Sequence, residues 1–202
     1  MKKFETLMLS KDEVLKFVRG LEPHSHVIAF YENPEDKRDL LYTYLMSGIE
    51  KGYAGAYVAG EETPDEVREH MKEYGIDVDK LEKEKALRII NYDGWYIVNG
   101  KVDPQHTISL WIKLLEESRR LGYKSLRACG EMTVFFRKGL IKELIRYEES
   151  LHRRLELAMM GLCAYNARDF TGGLEHVMIR LIASHEYLIV MGPVKTITVV
   201  KA

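Results

Sequence analysis

The sequence predicts an α/β protein with a mainly parallel sheet covered by helices on both faces. Two observations carry this. First, apolar runs such as "HVIAFY" (26–31) and "YAGAYVA" (53–59) alternate with charged segments of helical spacing. Near-continuous apolar runs mark strands buried on both faces, and their alternation with helices marks βα units. Second, three helix starts share one grammar: Asn33-Pro34-Glu35-Asp36, Thr63-Pro64-Asp65-Glu66 and Asp103-Pro104-Gln105. Each places a capping side chain before a Pro at the first helical position, where its missing N–H costs nothing. Two add acids in the first turn, which favours the helix dipole.

Taken in order, a short helix is expected after the capping-box pattern Ser10-Lys11-Asp12-Glu13, with Val14, Phe17 and Val18 on one face. Residues 1–22 then form a helical extension to a core over 24–190. The first core strand is expected at 26–31 and its helix at 34–51, stopped near Gly52. Strand 53–59, helix 64–74, a polar stretch with helix potential at 77–85 and strand 86–91 follow. Residues 92–103, "YDGWYIVNGKVD", read as an inserted hairpin turning at Asn99-Gly100. A helix at 104–121 carries Ile108, Trp111, Leu114 and Leu115 on one face. Strand 124–130, a long helix at 137–157, strand 157–165 and a helix at 173–184 come next. The end, "EYLIVMGPVKTITVV", reads as a hairpin about Gly192-Pro193. No repeat or linker interrupts the pattern, so the 202 residues are read as one domain.

Composition narrows function. The chain carries 30 basic and 31 acidic residues, a balance that argues against a dedicated nucleic-acid binder. The apolar runs are too short to span a bilayer, and the start has no long apolar segment of a signal peptide. Two cysteines, Cys129 and Cys163, cannot form a disulfide framework, and a reducing cytoplasm is the expected setting.

In open parallel sheets, ligands bind beyond the carboxyl ends of the strands. The sequence places Tyr31 and Glu32, Glu61 and Glu62, Glu131, and Tyr165 and Asn166 there. A phosphate loop at the first junction needs G-x-x-x-x-G-K-[ST]. Between Phe30 and Leu40 there is no glycine, serine or threonine, and Glu35 and Asp36 occupy the helix start where phosphate would sit. Glu131 is either a ligand-contacting acid or one hydrogen-bonded to local backbone N–H groups. His24 and His26 fall at the opposite strand edge and read as surface or satisfied residues. With no C-x-x-C or H-x₃-H spacing, neither a metal nor a cofactor is expected. Cys163 reads as a small buried hydrophobe, His185 sits at a helix-to-strand corner, and Glu148 is expected to pair with a cation a turn away. Arg119-Arg120 and Arg153-Arg154 read as solvated faces, and Tyr92, Trp95 and Tyr96 as hairpin packing.

The ordered set "HVIAFYEN", "GIEKGYAGAYVAGEE", "LRACGEMT", "LIRYEESLH", "GLCAYNARDF" and His185 resembles the MEDS domain, a sensory domain of methanogens and methylotrophs, over residues 24–190. The matching residues are His26, Phe30, Tyr31, Arg127, Glu131, Met132, Tyr147, Glu148, Cys163, Tyr165, Asp169 and His185. The resemblance implies a three-layer RecA/KaiC-like core without a working phosphate loop, and sensing of small hydrocarbon derivatives in signalling or transcriptional control. The expected ligand-binding set is Tyr31, Glu32, Glu61, Glu131, Tyr165, Cys163 and His185, with no catalytic residue. The expected partner is a small organic ligand. The alternative is an inactive relative of KaiC-type ATPases, acting by contact with a partner protein or with itself. Many members of the resembled family carry an output module, so output here is expected to pass through such a contact.

Overall fold

Period-2 alternation along the strands divides the core in two. The computed structural model describes residues 5–152 and 159–200. Its strands are β1 (Glu5–Leu9), β2 (His26–Tyr31), β3 (Ala54–Ala59), β4 (Leu87–Asn91), β5 (Leu126–Glu131), β6 (Met159–Asn166), β7 (Tyr187–Met191) and β8 (Lys195–Val199). They form one eight-stranded sheet in the order β1-β8-β7-β2-β6-β5-β3-β4. From β7 to β4 all pairings are parallel. The β7–β8 and β8–β1 pairings are antiparallel.

The helices are α1 (Lys11–Gly20), α2 (Pro34–Glu50), α3 (Pro64–Glu73), α4 (Val78–Lys83), α5 (Pro104–Arg120), α6 (Thr133–Arg137), α7 (Ile141–His152) and α8 (Glu175–Ala183). Val27, Ala29 and Tyr31 of β2 pack with Val14, Leu40 and Val67 of α1, α2 and α3. Ile28 and Phe30 face the other way, toward Trp111, Leu144 and Leu181 of α5, α7 and α8. The expected three layers result, because each strand offers apolar side chains to both sides.

The three Pro-initiated helices begin where their cap grammar places them. Asn33, Thr63 and Asp103 each accept a hydrogen bond from the first turn, and Thr63 and Ser10 form full capping boxes.

Arg127 of β5 ties α1 and α2 to the sheet. It is fully buried. Its guanidinium donates to the carbonyls of Val18 (3.2 Å), Arg19 (3.3 Å), Leu21 (2.6 Å) and Tyr44 (2.8 Å), and to Ser47 Oγ (2.7 Å). Carbonyls at the end of α1 would otherwise lack partners, and a cation there also suits the helix dipole. Gly48 leaves the side chain its space, since a Cβ there would collide with Arg127.

Three expectations are corrected. The N-terminal extension is not helical throughout, because β1 precedes α1 and pairs with β8 from Glu5↔Val199 to Leu9↔Lys195. The long helix expected at 137–157 begins only at Ile141, as α7, and a short helix that was not expected, α6 at Thr133–Arg137, precedes it. The chain breaks between them at Gly139, whose φ of 67° leaves the helical region. The remainder of that expected helix, with Arg153-Arg154 and the start of the following strand, lies outside the described residues. The hairpin at 92–103 is reduced to one antiparallel bridge around the turn, Val98↔Lys101, with a parallel bridge Asp93↔Ile97 before it. Asn99 and Gly100 do adopt the positive φ, 52° and 74°, that the turn requires.

Candidate functional site

Two polar centres lie on opposite faces of the sheet. The first sits at the carboxyl ends of the parallel strands, on the α1–α4 side. Lys37, in the first turns of α2, is buried and donates to Glu131 (2.5 Å), Glu61 (2.8 Å) and Glu62 (3.2 Å). Glu131, ending β5, is fully buried and saturated. Its Oε1 also accepts Tyr57 Oη (2.7 Å), and its Oε2 faces the backbone N–H groups of Gly60 (2.9 Å), Glu61 (2.7 Å) and Glu62 (3.2 Å). Such a row of N–H groups is a cradle for an anion, and here the anion is the protein's own carboxylate. Tyr31 donates to Glu61 (2.8 Å), Asn166 donates to it (3.3 Å), and Arg38 donates to Glu62 (2.5 Å).

Charge in this centre is internally matched. Burial alone would raise the Glu61 and Glu62 carboxyls. The Lys37 charge and hydrogen bonds at Glu61, and those of Arg38 and Lys37 at Glu62, hold both below the ordinary 4.5. Burial would likewise lower Lys37, but Glu131 and Glu61 keep its pKa raised.

Tyr31-Glu32-Asn33-Pro34-Glu35-Asp36-Lys37-Arg38 runs in the register of G-x-x-x-x-G-K-[ST]. Lys37 stands where the phosphate-binding lysine would, while Tyr31, Asp36 and Arg38 replace the glycines and the hydroxyl residue. Glu35 and Asp36 stand in the first turn of α2, as expected. Asp36 is turned to Lys11 of α1 (2.8 Å), and Glu35 is exposed.

The second centre lies on the α5–α8 side. His26 opens β2, Cys163 and Tyr165 lie on β6, Glu148 is on α7 and His185 links α8 to β7. All five are buried. Tyr165 donates to Glu148 Oε1 (2.6 Å). Glu148 Oε2 stands 3.5 Å from His26 Nε2, 3.6 Å from Cys163 Sγ and 3.7 Å from His185 Nε2. Burial lifts the Glu148 carboxyl to about 7, against the hydrogen bonds from Tyr165 and Cys163. Burial also pushes the Cys163 thiol up, drives His26 down and takes His185 down to about 3. Gly161, paired with His26 across the sheet, leaves room for its ring: a Cβ there would stand 3.2 Å from the ring carbon.

The seven expected ligand-binding residues thus divide. Tyr31, Glu61 and Glu131 meet through Lys37. Tyr165, Cys163 and His185 meet through Glu148. Glu32 is exposed and joins neither. One expectation is corrected: Glu148 is held by Tyr165 and Cys163 rather than by a cation on its helix. Of the two roles expected for His26, the satisfied one holds: it is buried, with Nδ1 against the Ser184 carbonyl, and belongs to a cluster. Lys37 was legible in the sequence only as a cation. The signal that finds it is its register with the phosphate-loop lysine.

Strand order and layers define an α/β domain of KaiC-like fold. A KaiC-like protein of the hyperthermophilic archaeon Pyrococcus horikoshii superimposes with a TM-score of 0.64 over 93% of this chain and 82% of its own, at 14% identity. The chain belongs to the MEDS family, described as the "MEthanogen/methylotroph, DcmR Sensory domain", whose model matches residues 25–186. It is also similar to UPF0273 proteins. That of Saccharolobus solfataricus is 32% identical over 131 residues, 63% of this chain and 46% of the relative. That of Pyrococcus furiosus is 32% identical over 81 residues, 40% of this chain and 32% of the relative. The chain thus spans less than half the length of these two relatives. Among the described residues, no helix is long and apolar enough to cross a membrane.

Proposed function

We propose that this chain is a non-hydrolytic sensory domain that binds a small organic molecule on a KaiC-like scaffold. One observation carries the reading: the lysine in phosphate-binding register is already neutralised by Glu131, Glu61 and Glu62. A triphosphate brought to Lys37 would meet three carboxylates already paired with that lysine, so binding would require breaking the cluster. The family description, a sensory domain, supports the same reading. Beside the cluster lies an open cleft of about 350 Å³, lined in part by Glu61, Glu62, Tyr92, Arg137 and Lys138. Its size suits a small ligand. Glu61 gives such a molecule an acceptor that links the cleft to Lys37, and so to β5. Signal output then runs through a partner or a second copy.

A thermal-shift panel of small alcohols, amines, thiols and halocarbons, with Mg-ATP alongside, tests this. Stabilisation by one organic class, lost in Glu61→Gln, is the expected result. Stabilisation by Mg-ATP, or its turnover, would sink the proposal. The alternative, contact with a KaiC-type ATPase, draws support from β1, whose outer edge is unpaired among the described residues and exposes Leu7 and Met8. Co-purification of an active ATPase with the chain, lost in Met8→Glu, is its expected signature.

A further inference from the structure

We infer that His26, Glu148, Cys163 and His185 form a binding site for a single late transition-metal dication, zinc foremost. This goes beyond the sensing reading and does not depend on it. The ligand atoms of the four residues all lie within 4.8 Å of one another. Around a tetrahedral zinc with bonds of about 2.0 to 2.3 Å, neighbouring ligand atoms stand about 3.3 to 3.8 Å apart. The distances from Glu148 Oε2 to the other three, 3.5 to 3.7 Å, fall in that interval, as does the 3.6 Å from Cys163 Sγ to His26 Nε2.

The surrounding hydrogen bonds point the same way. His26 Nδ1 lies 3.0 Å from the Ser184 carbonyl, and His185 Nδ1 lies 2.7 Å from the Leu181 carbonyl. Each ring therefore donates through Nδ1 and turns a lone pair on Nε2 toward the centre, the outer-shell arrangement typical of metal-bound histidine. Tyr165 fixes Oε1 of Glu148 and leaves Oε2 for the ion. His185 Nε2 is buried with no hydrogen-bond partner. A buried polar atom left this way is costly, and a metal ion would satisfy it.

The charges also balance. One thiolate, one carboxylate and two neutral imidazoles make a neutral complex with a dication, and the thiol proton leaves to solvent on loading. A neutral complex suits a dry interior. Two nitrogens, one sulfur and one oxygen favour zinc, cobalt or copper over magnesium or calcium. The two rings now stack with centroids 3.9 Å apart. Two imidazoles sharing a tetrahedral ion stand wider than that, so loading opens the stack by a side-chain rotation.

Cobalt(II) is the probe. The full chain, stripped with a chelator and either incubated or refolded with one equivalent of Co²⁺, is expected to show intense tetrahedral d–d absorption and a thiolate-to-cobalt charge-transfer band. Cys129→Ser should keep both. Cys163→Ser should lose the charge-transfer band, and His185→Gln should weaken binding by more than about a hundredfold, beyond the cost of losing an outer-shell partner. Should the Cys163 variant not fold, the Cys129 variant decides alone: retention of the band assigns the thiolate to Cys163, and its loss overturns the site. Absence of the tetrahedral spectrum after refolding with Co²⁺, or an unchanged spectrum in folded Cys163→Ser, would overturn it equally.

Discussion

Lys37 shows what a single side chain holds together. Removing it leaves buried Glu131 and half-buried Glu61 around an empty position, and breaking a buried ion pair from one side destabilises by about 3–5 kcal/mol. Lys37→Met is expected to lose stability in that range in urea denaturation, and adding Glu131→Gln should return part of it. The pH dependence follows from the same residues. Glu61 and Glu62 are depressed below 4.5. Their contribution is therefore complete above about pH 4.5 and is lost as pH falls through their folded values. Lys37 is raised above 10.5, so its contribution is present below that value and lost as pH rises through the folded one. Melting temperature should hold between these limits and drop on the acid side, and Lys37→Met should flatten the acid limb. An unchanged acid limb in that variant would show that the cluster contributes little. At this scale the sequence was legible where topology alone locates a residue: Tyr31, Glu61 and Glu131 stand at strand ends. It was silent where partners are remote. Lys37 meets Glu131 across 94 positions and Cys163 meets His26 across 137, and no local spacing rule spans such distances.

At the scale of elements, two kinds of tie are separable. Thr63→Ala removes a capping box at the start of α3 and should cost about 1 kcal/mol by chemical denaturation. Arg127→Met strands several carbonyls at once at the ends of α1 and in α2. A loss of about 3 kcal/mol is expected, with hydrogen exchange rising first in α1. Equal effects of the two substitutions would show that Arg127 is no more than a cap. Helix starts were readable to the residue because Asn33, Thr63 and Asp103 act within three positions of their targets. Strand β1 was not, since "ETLML" is five residues long and gains its identity only from β8, nearly two hundred positions away. The break between α6 and α7 was missed because Gly139 inside an apolar helical pattern does not announce whether it will leave the helical region.

For the whole molecule, the sheet is parallel and shielded except where β8 and β1 add an antiparallel margin. Deleting residues 1–9 would expose the β8 edge, and an unpaired edge invites pairing between copies. Concentration-dependent association in light scattering is the expected outcome, and a strictly monomeric variant would show that the β8 edge is otherwise protected. The layered α/β fold itself was legible from alternation, because strands buried on both faces must be apolar throughout.

Strand β6 brings these scales together. Its neighbouring residues Tyr165 and Asn166 reach Glu148 on one face and Glu61 on the other. One peptide unit therefore separates the anchors of two chemically unrelated centres. A substitution that slides or twists the end of this strand to suit one centre shifts the anchor of the other by the same motion. Variation in the two is bound to be epistatic: lineages that retune one must accept, or compensate, the consequence at its twin.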